Sequence, residues 1–156
     1  GSVIPFFLSQ KPTGELTITD KRMTRFMITL EQAVELVWHA FEDMCGGEIY
    51  VKKIPSMSII DIAKAVAPEA NLKIIGIRPG EKIHEQMIGL EDSPNTYEYD
   101  DHYKILPAIH NWSSDPKRIN GGVKVAEDFM YASDSNSEWM SVDQLRTWVE
   151  SHKGTI

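Results

Sequence analysis

Cysteine is almost missing from this sequence: Cys45 is the only one in 156 residues. An internal disulfide is therefore excluded, and a reducing compartment, the cytoplasm, is the expectation. Positive charge is also scarce, with 16 Lys and Arg against 23 Asp and Glu and a net charge of −7. A nucleic-acid binder needs a surplus of Lys and Arg to neutralise phosphates, so no nucleic-acid partner is expected. No run approaches the ~18 apolar residues of a membrane span, and no basic-then-apolar signal segment opens the chain. A Gly-x-Gly-x-x-Gly turn after a strand is absent, and with it the usual dinucleotide fingerprint. No tyrosine has a lysine four residues later: Tyr50, Tyr97, Tyr99, Tyr103 and Tyr131 are followed there by Ile54, Asp101, Tyr103, Pro107 and Ser135. A tyrosine base with a lysine beside it cannot be built in that local form, and no catalytic residue is assigned. His84-Glu85 opens like a zinc-protease motif, but Ile88 occupies the position of the second histidine, so no metal site is assigned either.

Hydrophobic residues make up 42% and charged residues 25%, the balance of a globular fold rather than a disordered tail. The length fits one domain, or a large piece of one, and residues 1–156 are read as a single portion. Val3-Ile4-Pro5-Phe6-Phe7 begins an apolar segment with no lead-in, so a fragment of a longer protein is the expectation. Gly1-Ser2 reads equally as native sequence or as a cloning scar.

Residues 3–10 read as a short helix or loop end, with Pro5 tolerable in a first turn. Leu16–Thr19 alternates as a strand. Thr29 with Gln32 has the form of a capping box. Ala33, Val34, Val37, Ala40, Phe41 and Met44 then recur on one helical face, ended by Gly46-Gly47. Glu48–Val51 is a strand, and Ser58 caps a second helix carrying Ile59, Ile62, Ala63 and Val66. Lys73–Ile77 has the profile of a buried strand. This alternation predicts an α/β layer with parallel strands. Residues 91–104 read as a surface hairpin or loop, and Ser141 caps a last helix with Val142, Leu145, Trp148 and Val149.

Two short stretches concentrate positive charge. Arg22 and Arg25 are three residues apart between a strand and a capped helix, where two planar guanidiniums can clamp a diphosphate. The plain alternative is a pair of solvated arginines. In Arg78-Pro79-Gly80-Glu81, Pro and Gly force a turn at a strand's end, the usual ligand position in α/β folds. There Arg78 suits phosphate and Glu81 suits ribose hydroxyls, unless the two simply pair across the turn.

The series Gly1-Ser-Val-Ile-Pro-Phe-Phe, Ile18-Thr-Asp-Lys-Arg-Met-Thr-Arg-Phe-Met-Ile-Thr, Gly46-Gly-Glu-Ile-Tyr-Val, Lys53-Ile-Pro-Ser-Met and Ile74-Ile-Gly-Ile-Arg-Pro-Gly-Glu-Lys-Ile-His-Glu resembles the inverting UDP-N-acetylglucosamine 4,6-dehydratases. These enzymes of the extended short-chain dehydrogenase/reductase superfamily supply pseudaminic acid for flagellin and surface glycans. The resemblance runs from residue 1 to about residue 150 and matches the family's carboxyl-terminal, substrate-binding portion. It implies an α/β fold lacking the amino-terminal Rossmann half, where the family holds NADP and its catalytic groups. In the family a hydride passes from sugar carbon 4 to NADP, water leaves across carbons 5 and 6, and the hydride returns to carbon 6 with inversion at carbon 5. The resemblance places Gly1, Ser2 and Val3 along the sugar and nucleotide pocket, Arg25 on the diphosphate, and Arg78 with Glu81 on diphosphate and ribose. UDP-N-acetylglucosamine is the implied ligand and a homo-oligomer the implied state of the intact enzyme. A capsule-type dehydratase or epimerase of the same superfamily, or a binding module without catalysis, are the alternatives.

Overall fold

A computed structural model describes residues 3–109 and 111–152. In chain order the elements are α1 (Val3–Gln10), β1 (Glu15–Ile18), β2 (Thr24–Phe26), α2 (Leu30–Asp43), β3 (Ile49–Lys52), β4 (Ser56–Ser58), α3 (Ile59–Val66), β5 (Asn71–Ile74), β6 (Gln86–Ile88), β7 (Thr96–Glu98), β8 (His102–Ile105), α4 (Pro116–Ile119), β9 (Val123–Lys124), β10 (Tyr131–Ala132) and α5 (Val142–Ser151). They divide into two compact units, one of Gly1–Met27, Pro55–Glu85 and Ser133–Ile156, the other of Ile28–Ile54 and Gln86–Ala132.

The first unit is built on α3. Ser58 begins it by accepting the Asp61 amide at 3.1 Å, which satisfies one of the amides a helix start leaves open. Ile59, Ile62, Ala63 and Val66 follow at helical spacing and are all buried. They meet Ile4 and Phe7 of α1, Leu16 and Ile18 of β1, and Leu145 and Val149 of α5 in one cluster. Removing a side chain such as Ile62 from water contributes roughly 2–3 kcal/mol. Ser141 and Gln144 form the capping box that starts α5. Strands β1 and β5 run parallel, from Glu15 opposite Asn71 to Ile18 opposite Ile74, while β2 and β4 pair antiparallel.

The expected parallel pair is present, but the expected burial of its second strand is not. Ile74, Ile75 and Ile77 are 47%, 44% and 44% exposed. The reason is geometric: β5 has β1 as its sole strand partner among the described residues, so an apolar strand suited to a covered sheet lies bare.

The second unit carries a four-stranded antiparallel sheet ordered β3-β8-β7-β9. Strand β3 thus joins this sheet instead of extending a parallel layer, because its ladder runs along β8 from Ile49–Ile105 to Lys52–His102. The hairpin expected at the surface exists as β7 and β8, yet Tyr97 and Tyr103 are buried. Tyr103 packs on Phe129 and Tyr131 at 5.1 and 5.2 Å between ring centres. The Tyr131 hydroxyl in turn closes the backbone of Ile54, accepting its amide at 2.8 Å and donating to its carbonyl at 2.9 Å.

Helix α2 begins with the expected capping box of Thr29 and Gln32. Its apolar face differs from expectation. Ala33, Leu36 and Ala40 are half-buried, whereas Val34, Val37, Phe41 and Met44 stay 45–64% exposed, together with Leu30 and Trp38. The apolar stripe is wider than the surface the second unit offers it.

Candidate functional site

Arg25 sits in the middle of β2, opposite Met57. Along the other side of β2 runs the segment Lys82–Glu85, attached where the Thr24 amide donates to the Ile83 carbonyl at 3.1 Å. The guanidinium bridges the two. Its Nη1 donates to the carbonyls of Thr24 at 2.7 Å and Ile83 at 3.1 Å. Its Nη2 makes longer contacts, 3.3 Å to the Lys82 carbonyl and 3.7 Å to the Met23 sulfur, and Nε lies 3.5 Å from Glu85 Oε1. A planar fork with five donors can hold two carbonyls firmly on one edge and keep a weaker edge for an anion.

One residue before Lys82 is the turn that the sequence singled out. The Glu81 amide donates to the Arg78 carbonyl at 3.1 Å, with Gly80 at φ +85° after Pro79. Proline at the second position and a left-handed glycine at the third are what a type II turn requires. Glu81 Oε2 also accepts the Arg78 amide at 3.0 Å. Arg78 and Glu81 therefore do pair, but through the backbone amide. The guanidinium is exposed and makes no ion pair among the described residues.

The Lys82 carbonyl thus brings Arg25 to the stem of the Arg78–Glu81 turn. Val3, half-buried at the start of α1, packs on the same apolar cluster as Met23, Met27 and Ile83. Gly1 and Ser2 lie outside the described residues. Arg22 takes the solvated alternative: its Nη2 is 2.8 Å from Asp20 Oδ2 and its side chain is 67% exposed. The hydrogen bond from Arg22 holds the Asp20 carboxyl down at about 2.

Several neighbours of Arg25 escaped the sequence reading. Thr24 lies within the basic stretch but offers no charge to notice. Ser133 comes 108 residues after Arg25 in an unremarked loop, yet its hydroxyl accepts the Glu85 amide at 2.9 Å and lies 2.6 Å from Thr24 Oγ1. His84 turns its Nδ1 to Thr24 Oγ1 at 2.9 Å. Among the described residues no group of three or more His, Cys, Asp or Glu side chains is arranged to hold a metal.

The mixed helix and strand fold is that of part of an extended short-chain dehydrogenase/reductase. The chain belongs to the polysaccharide biosynthesis protein family, whose profile matches residues 1–107. The inverting UDP-N-acetylglucosamine 4,6-dehydratase of Campylobacter jejuni subsp. jejuni serotype O:2 is 48% identical over 99% of this chain and 48% of its own length. The UDP-glucose 4-epimerase of Rickettsia rickettsii is 41% identical over 94% of this chain and 44% of its own length. Among solved structures, Pen from Bacillus thuringiensis superposes with a TM-score of 0.78 at 31% identity, over 98% of this chain and 45% of Pen. The chain spans about half the length of the curated relatives it matches.

Proposed function

We propose that this chain is the nucleotide-sugar-gripping part of an NADP-dependent, 5-inverting UDP-N-acetylglucosamine 4,6-dehydratase. The observation that carries the reading is the 48% identity to the Campylobacter dehydratase along 99% of the chain. Arg78 supplies the free cation for the diphosphate, Glu81 a carboxylate for ribose hydroxyls, and Arg25 its Nη2 edge for a second phosphate oxygen. Gly1, Ser2 and Val3 line the sugar side. Holding the UDP handle positions the sugar ring for chemistry performed by groups outside this chain.

NADP belongs to those outside groups. In support of that placement, β1 and β5 lead into turns rather than into helices, while β2 and β4, which lead into α2 and α3, meet helix starts capped by Thr29 and Ser58. The intact enzyme is read as a cytoplasmic homo-oligomer whose 6-deoxy-4-keto product feeds surface-glycan or flagellin glycosylation. No described helix is long and apolar enough to cross a membrane.

Calorimetric titration tests the binding role directly. UDP and UDP-N-acetylglucosamine are expected to bind this chain, and uridine at least about tenfold more weakly, since charge-assisted contacts to phosphate are the strong ones. Failure of UDP to bind at millimolar concentration overturns the reading. The Rickettsia epimerase likeness supports a second reading, a UDP-sugar epimerase. NMR of the intact enzyme's product separates them: the dehydratase yields a 4-keto-6-deoxy sugar with carbon 5 inverted, the epimerase a sugar changed only at carbon 4.

A further inference from the structure

The residue before Arg25 anchors a polar cluster that the binding role does not use. Thr24 Oγ1 lies 2.6 Å from Ser133 Oγ and 2.9 Å from His84 Nδ1. Ser133 also accepts the Glu85 amide at 2.9 Å, and its own amide donates to the Glu85 carbonyl at 2.8 Å. His84 Nε2 faces Asp134 Oδ2 at 3.9 Å. Ser133 is fully buried and Thr24 nearly so, and buried hydroxyls are expected to be satisfied.

Each hydroxyl has a single proton to give. With Ser133 accepting from Glu85, both buried hydroxyl protons find an acceptor in the cluster when Ser133 donates to Thr24 and Thr24 donates to His84 Nδ1. That order requires a neutral imidazole protonated at Nε2, the nitrogen facing Asp134. Both buried hydroxyls then donate once and accept once. The opposite order, starting from an Nδ1 proton, leaves the buried Ser133 proton with no acceptor inside the cluster.

We propose that Thr24, Ser133 and His84 form a one-directional hydrogen-bond relay that positions Arg25 and the Arg78–Glu81 turn for a nucleoside diphosphate. This rests on the UDP-binding reading above. The relay fastens residues 84 and 85 to β2. The Ile83 carbonyl is thereby fixed where, with the Thr24 carbonyl, it holds Nη1 of the Arg25 guanidinium and leaves the more weakly held Nη2 edge for ligand. All three are positioning residues, acting through Arg25 and the turn.

The wild-type chain gives the first readout, the His84 tautomer from ¹⁵N NMR at neutral pH, with the Nε2 proton expected. Thr24→Val keeps the shape and removes the hydroxyl. It is expected to speed exchange of the Glu85 amide and to weaken UDP binding about three- to tenfold, the range of one lost neutral hydrogen bond. Thr24→Ser, smaller but hydroxylated, is expected to restore both. Should Thr24→Val not fold, Ser133→Ala takes its place with the same two readouts. An Nδ1 proton on His84, unchanged Glu85 exchange in the variant, or Thr24→Ser behaving like Thr24→Val each overturns the relay. A wild-type chain that does not bind UDP sinks the functional reading instead, and the relay is then judged on tautomer and exchange alone.

Discussion

The Arg25 guanidinium donates to the carbonyl of Ile83 at 3.1 Å, across 58 residues of sequence. One contact therefore joins the two cationic stretches that charge alone distinguishes in this acidic chain. Because Arg25 also holds the Thr24 and Lys82 carbonyls, its role is partly architectural: it shapes the ligand surface as well as charging it.

Replacing Arg25 with lysine separates those roles. An ammonium keeps the charge but lacks the planar fork that reaches several carbonyls at once. Arg25→Lys is expected to lower UDP affinity by about tenfold and to speed amide exchange at residues 82–85. Titration calorimetry and exchange mass spectrometry check the two effects. Unchanged exchange at those amides would show that the fork does not hold the segment.

The turn makes a complementary prediction. Arg78→Ala removes an exposed side chain, so thermal stability is expected to stay within about 0.5 kcal/mol while UDP affinity falls. Gly80→Ala meets open space, with nothing within 4 Å of the added carbon, but φ there is +85°. It is expected to strain the turn by roughly 1 kcal/mol and to weaken UDP binding through Arg78 and Glu81. Calorimetry on both variants reads this out.

Much of the fold is legible in the amino-acid sequence. The caps at Thr29, Ser58 and Ser141 announced three helices, because a side-chain oxygen followed three residues later by a group that closes the first turn is a local signal. Burial was less legible, being a tertiary outcome. Lys73–Ile77 reads as a buried strand and Val34, Val37 and Phe41 as the apolar face of an amphipathic helix, yet those three and Ile74, Ile75 and Ile77 are exposed. Tyr97 and Tyr103, interleaved with acids, read as surface and are buried. At the site, Arg25, Arg78 and Glu81 stood out through charge and turn chemistry. Thr24 and Ser133 did not, since their partnership spans 109 positions and neither carries charge.

Lys104 is hidden in the sequence by the distance to its partner, 61 positions away. Its side chain is 2% exposed; its Nζ donates to Asp43 Oδ2 and to the Arg118 carbonyl, with Tyr99 at 5.0 Å. Burial pushes the Asp43 carboxyl up, but hydrogen bonds from Lys104, Tyr50 and Asn120 outweigh it and hold it at about 2. Lys104→Met leaves that carboxylate half-buried without its cation and is expected to cost about 3–5 kcal/mol. Denaturant titration measures this, and a loss below about 1 kcal/mol would contradict a tightly coupled pair.

His102 makes the second unit sensitive to pH. It is 4% exposed, its Nε2 has no hydrogen-bond partner, and its ring stacks on Tyr99 at 4.5 Å. Burial pushes its imidazole below the ordinary 6.5, against the opposing pull of the hydrogen bond to Asp101. The folded state therefore binds the proton less readily than the unfolded chain. Stability is full above about 6.5 and is expected to fall as the pH drops from there toward the lowered value. Losses from Asp43 and Asp101 begin only below the ordinary carboxylate value of 3.8, so the windows are distinct. Denaturant titrations at stepped pH should show His102→Gln flattening the upper window, and reducing the Asp101 part of the lower one, because the His102 hydrogen bond is the first cause holding that carboxyl down.

Mapping ¹H–¹⁵N chemical shifts while UDP is added to the labelled chain probes the joint grip of Arg25, Arg78 and Glu81 most directly. The expected result is saturable shifts gathered at residues 24–26 and 78–85. Shifts confined to the β3-β8-β7-β9 sheet, or none at millimolar UDP, would contradict it.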